Sequence, residues 1–170
     1  MSVVPLNAYA ESLPGRTPRF DPLDGGTGAR VLVLMESPSR RGIEQGFASA
    51  DNPTPTGKRM REEMAAAGLR REDRVVWNVV PWYLGEGTRV RNPTLREVRE
   101  GASYLPGLLA LLPGLRVVLT LGVAAREGWR SIGSELPHVA APHPSNTNLC
   151  ARPWLLEEFR SALREVVRFF

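Results

Sequence analysis

Four short apolar runs constrain this chain more than anything else in it. "RVLVLMES" (30–37), "RVVWNVVPW" (74–82), "RVVLTLG" (116–122) and "HVAAP" (138–142) are each of strand length. The longer ones are apolar at nearly every position, which suits a strand covered on both faces. Segments with helical spacing separate them. "TGKRMREEMAAAGL" predicts a helix with Met60 and Met64 on one face and Gly68 as its stop. "TLREVREGASYL" predicts another, opened by a Thr94–Glu97 capping box and broken by Pro106. Pro153 suits the first turn of a last helix, whose apolar stripe holds Phe159, Leu163, Val166 and Val167. Strands alternating with helices predict an α/β domain with a mainly parallel sheet.

The chain is 170 residues long, which fits one domain. Residues 1–29 are rich in Pro and Gly and read as a loose N-terminal arm with a short helix near Leu6 to Ser12, followed by a single domain over 30–170. No apolar run approaches the ~20 residues of a membrane span, and the start lacks the order of a signal peptide. A single cysteine, Cys150, excludes an internal disulfide and any four-cysteine metal or cluster site. A cytoplasmic monomer is the expectation. The charge is +4, with Lys58 as the only lysine. The arginine preference suits phosphate binding, and it equally suits the codon bias of a GC-rich genome. The balance permits a nucleic-acid partner without demanding one.

In open parallel sheets, ligands bind beyond the carboxyl ends of the strands. Three of those ends carry reactive chemistry: Glu36 after the first strand, Asn78 in the second, and His143 with Ser145 after the fourth. Each has a structural alternative. Glu36 can cap a helix, Asn78 can be a satisfied buried amide, and His143 between two prolines can be a turn residue. Parallel strands bring the three to one rim. An Asn carboxamide can pair with a carbonyl and an imide N–H of a pyrimidine edge. A His can donate to an oxygen on which negative charge builds, and a carboxylate can orient water and favour a cationic sugar. Together they suit cleavage of an N-glycosidic bond.

The ordered set resembles the uracil-DNA glycosylase superfamily. "MESPS" is similar to its first motif, nearest the Gly-Glu-Ala-Pro-Gly form. "NPTPTGKRMREEMAAAGL" resembles the loop and helix that follow, "VVWNVVPW" the strand with the base-reading Asn, "VVLTLGVAA" the central strand and its glycine turn, and "HPSN" the second catalytic motif. The resemblance runs from about Arg30 to Ser145. It implies a three-layer α/β/α fold around a four-stranded parallel sheet, and a deaminated base flipped out of DNA into a pocket at the sheet edge. By motif position, Glu36 places the water, His143 donates to the pyrimidine O2 and Asn78 reads the base. Main-chain groups around Ser37 and Ser39 and the Ser145 hydroxyl hold phosphates, with charge from Arg40 and Arg41. Leu149, just past the turn, is the candidate wedge for the gap left by the flipped base. No metal, redox cofactor or iron–sulfur cluster is required.

Departures from the pattern leave alternatives open. Met35 and Ser39 stand where glycines are usual. The slot for a base-stacking aromatic holds Asn52, and Phe47 is the nearest aromatic upstream. Asp51 competes with Glu36 for the role of the acid, against a plain turn-forming role before Pro53. Trp77 falls on the face opposite Asn78 and reads as core. Arg89 and Arg91 suit either phosphates or solvent. The leading expectation is a monofunctional DNA glycosylase. The alternative is a nucleic-acid or nucleobase binding module on the same fold. A nucleoside-hydrolysing enzyme is disfavoured, because no phosphate-cradling glycine loop follows the first strand.

Overall fold

A computed structural model describes residues 2–86 and 89–170. In chain order the elements are α1 (Val4–Ser12), β1 (Arg19–Phe20), β2 (Val31–Met35), α2 (Arg40–Gln45), β3 (Phe47–Ala48), α3 (Pro55–Ala66), β4 (Arg74–Asn78), β5 (Gly85–Glu86) and β6 (Arg89–Val90). They continue with α4 (Leu95–Ala102), α5 (Leu105–Ala110), β7 (Val117–Leu121), α6 (Val123–Ser131), β8 (His138–Ala141), α7 (Asn146–Ala151) and α8 (Leu155–Val166). The four apolar runs are β2, β4, β7 and β8. They form one parallel sheet in the order β4-β2-β7-β8.

Side chains alternate across this sheet with the period of two that a strand imposes. Leu32, Leu34, Val75, Trp77 and Val118 pack beneath α1, α4, α5 and α6, through residues such as Leu6, Ala102, Leu108 and Trp129. Val31, Val33, Val76, Leu119 and Leu121 point the other way, onto Met60 and Met64 of α3 and Phe159, Leu163 and Val166 of α8. Helices on both faces make the three-layer α/β/α arrangement, with the sheet as the shared wall of two cores. Thr94 and Glu97 cap α4 reciprocally, as their spacing predicts. Helix α4 ends at Ala102, and Pro106 falls in the first turn of a separate helix, α5. Pro153 lies just ahead of α8, in a tight turn where the Leu156 amide donates to the Pro153 carbonyl at 3.2 Å.

The N-terminal segment differs from the loose arm expected of it. Leu6, Ala10 and Leu13 of this segment are buried, at an i, i+4, i+7 spacing that gives α1 one apolar face. The Phe20 ring stacks on Trp77 with centroids 4.0 Å apart and planes 5° from parallel. The physical reason lies in β4. Alternation turns the large Trp77 ring away from the α3 side, and Phe20 covers it. Strand β1 then pairs in parallel with β3, which ties the segment to the chain that follows α2.

Candidate active site

The register of the sheet decides what meets at its carboxyl edge. Met35 is level with Asn78, Leu34 with Thr120, and Leu121 with Ala141. Pairing continues one step further, with Val80 N–H donating to the Glu36 carbonyl at 2.9 Å and Gly122 N–H to the Ala141 carbonyl at 2.9 Å. Asn78, Glu36, Gly122 and His143 therefore leave the sheet side by side. A cavity of about 610 Å³ opens over this edge, lined among others by Glu36, Phe47, Asn52, Asn78, His143 and Ser145.

Asn78 is only 5% exposed and points to the α3 side, into the cavity. Among the described residues no group hydrogen-bonds its carboxamide. A buried amide in that state retains its full donor and acceptor capacity for whatever enters. Glu36 is half-enclosed, and burial pushes its carboxyl above the ordinary glutamate value. His143 is more enclosed, and burial pushes its imidazole below the ordinary histidine value, so the ring is neutral near pH 7. No described residue hydrogen-bonds this ring. Its backbone is held instead: the Asn148 carboxamide donates to the His143 carbonyl at 3.1 Å. The Ser145 hydroxyl caps α7 by accepting from the Asn148 amide. A turn flanked by Pro142 and Pro144 and clamped by Asn148 aims the ring at the cavity. Asn148, which sequence reasoning passed over, was signalled only by its place three residues after the Ser145 cap.

The remaining candidates divide. Ser37 and Ser39 line the cavity, and Ser39 also caps α2 by accepting from the Gly42 amide at 3.0 Å. Phe47 and Asn52 line it too, and the Asn52 carboxamide donates to the Phe47 carbonyl at 3.1 Å, fixing the turn between them. Arg40 and Arg41 are exposed and both pair with Glu44. Arg91 pairs with Glu97, whose carboxyl it holds down at about 2. Asp51 does not line this cavity. It faces Arg71 and, at 3.6 Å, Arg61, beside a second cavity of about 430 Å³. Two guanidiniums turn it away from the strand ends. Leu149 is 6% exposed, turned into the protein on the inner side of α7 rather than standing out as a wedge. Trp82 packs on the core and meets Tyr104 edge to face. Among the described residues no group of three or more His, Cys, Asp or Glu is placed to hold a metal ion. No helix there is long and apolar enough to cross a membrane.

Comparison with known proteins agrees with this fold. No curated protein matches the chain. A solution NMR structure of a candidate uracil DNA glycosylase from Methanosarcina acetivorans shares the fold, with a TM-score of 0.56 and 18% identity over 85% of this chain and 94% of that one. The family model of the uracil DNA glycosylase superfamily matches residues 22–164, nearly the whole chain. The chain belongs to the uracil DNA glycosylase superfamily.

Proposed function

We propose that the protein is a monofunctional DNA glycosylase that hydrolyses the N-glycosidic bond of uracil, or of another deaminated base, flipped out of DNA. One observation carries this reading. A single cavity gathers Glu36, Asn78 and His143, and the Asn78 carboxamide and His143 ring have no protein partner there among the described residues.

The chemistry follows from those groups. A flipped base enters edge-on, and Asn78 pairs with its carbonyl and imide N–H. The bond from the sugar carbon to the base nitrogen breaks, and its electron pair leaves with the base. Negative charge then builds on the base oxygen, where the neutral His143 ring donates a hydrogen bond. A neutral donor suffices because no full proton transfer is needed, and losing one such donor typically costs ~10²–10³ in rate. The Glu36 carboxylate faces the cationic sugar and orients water, whose oxygen bonds to the sugar carbon while its proton passes to Glu36. Burial raises the proton affinity of this carboxylate, which makes it the better base. Ser37, Ser39 and Ser145 stand at the cavity, where they serve the phosphates on either side of the flipped nucleotide, and Arg40 adds charge nearby. Phe47, also at the cavity, offers a ring for the base to stack on. The protein acts as a monomer on cytoplasmic DNA.

The test is a panel of end-labelled oligonucleotides. Each carries one uracil, hypoxanthine or xanthine in a paired, mismatched or single-stranded setting. They are incubated with the protein in chelator and then treated with hot alkali. Strand cleavage above that of His143→Ala supports the reading and names the base. Intact strands across the panel, with salt-dependent DNA binding retained, would point instead to a binding module.

A further inference from the structure

A cluster of charged side chains outside the cavity lies directly behind one of its walls. Arg71, just ahead of β4, faces three carboxylates: Asp21 at 2.9 Å, Asp24 at 3.3 Å, and Asp51. Asp21 and Asp24 are 6% and 7% exposed and belong to the segment between β1 and β2. Asp21 also accepts from the Ser49 hydroxyl, and the Ser49 oxygen accepts from the Asp51 amide at 2.9 Å. Arg61 of α3 donates to the Ala50 carbonyl at 3.2 Å. Three of these contacts hold residues 49–51 from behind: Arg71 on Asp51, Asp21 on Ser49, and Arg61 on the Ala50 carbonyl. On the front of the same stretch, Phe47, Ala48, Ser49 and Asn52 line the candidate active site. The segment is thus a thin wall, six residues long, with an ion cluster on one side and the base cavity on the other.

None of the three proposed reacting groups stands on this wall. Glu36 follows β2, Asn78 ends β4 and His143 follows β8. We propose that Arg71 is a positioning residue: by holding Asp51 and Asp21 at the back of the wall, it sets where Phe47 and Asn52 stand at the front, and so governs capture of the flipped base without touching it. Arginine suits this role, because its planar fork presents five donors in fixed directions to several acceptors at once, which a lysine ammonium does not reproduce. The inference rests on the glycosylase reading for its kinetic consequence, but not for its structural one.

The experiment compares the full-length wild type with Arg71→Lys, Asp51→Asn and the double variant. The structural readout is hydrogen exchange. Amides of residues 47–52 exchange about tenfold faster in both single variants, while those of β2 and β7 are unchanged. The kinetic readout is single-turnover and steady-state base release from a uracil-containing strand. Arg71→Lys raises KM about tenfold with kcat within about twofold, because capture weakens and chemistry does not. The double variant is no worse than the more affected single, because the two side chains act as one unit. Unchanged exchange in the wall of folded variants would overturn the proposal. So would a fall in kcat for Asp51→Asn with KM held, which would make Asp51 a reacting group. Should Arg71→Lys fail to fold, Asp51→Asn decides alone, since its side chain is 33% exposed. A wild type that releases no base removes the glycosylase reading, and the exchange data still decide the role of Arg71.

Discussion

Gly122 and His143 sit so close that a Cβ on the glycine would stand 3.3 Å from the histidine Cβ. Gly122 also has φ +89°, in the region that side chains rarely adopt. It joins β7 to α6, and its lack of a side chain leaves room for the turn that carries the His143 ring. Gly122→Ala therefore combines backbone strain with a push on His143. The variant is expected to lose about 1–3 kcal/mol of stability in urea unfolding. Its base release should fall further than that loss explains, because the ring is displaced.

The pH profile should follow Glu36 rather than His143. The proposed mechanism needs Glu36 ionised, and burial raises its pKa. Activity should therefore fall on acidification at a pH above the ordinary glutamate range. Burial lowers the His143 pKa, so its ring adds no limb near the usual histidine value. A profile of kcat/KM between pH 4 and 8 checks this, and Glu36→Gln should flatten it as well as lower it.

Asp24 makes a prediction for stability. Burial, only partly countered by Arg74 and Arg71, raises its carboxyl from 3.8 to about 6 in the folded protein. The folded state thus keeps a proton that the unfolded state has already released near its own lower pKa. The Asp24 contribution to stability is fully present below the unfolded value and is lost as pH rises through the folded one. Asp24→Asn removes this loss. Its stability relative to wild type should rise between pH 4 and pH 7 by about 1–3 kcal/mol, measured by urea unfolding at both ends.

Leu149→Ala separates a packing role from a wedge. A leucine with 6% exposure that loses its side chain should cost about 2 kcal/mol of stability. Base release should then slow alike for paired and single-stranded substrates. A wedge would instead matter only where a base must be pulled from a duplex.

The sheet, and the meeting of Glu36, Asn78 and His143 at one cavity on its edge, were legible in the sequence for a simple reason. Strands buried on both faces write themselves as unbroken apolar runs, and parallel order sends every carboxyl end to one edge. Glu36, Asn78 and His143 could then be brought together without any contact being known. What stayed hidden depends on pairings across long stretches of chain. Arg71 and Asp21 are 50 residues apart in sequence, and nothing local marks them as partners. Without that pairing, Asp51 read as a free acid near the first motif. Phe20 and Trp77 pose the same problem: the packing of the N-terminal segment follows from the face to which Trp77 points, which only a partner across the fold reveals. Leu149 misled for a related reason, since a leucine just past such a turn looks the same in sequence whether it faces out or in.

The central claim is that Asn78 and His143 act on one base in one cavity, and direct detection of free base tests it most plainly. Uracil release from a single-stranded oligonucleotide would be followed in the wild type, His143→Ala and Asn78→Ala, with DNA affinity measured alongside. The account predicts release by the wild type, a loss of ~10²–10³ in His143→Ala, a clear loss in Asn78→Ala, and DNA affinity retained in both. Equal rates in all three proteins, or no free base from any strand that the wild type binds, would contradict it.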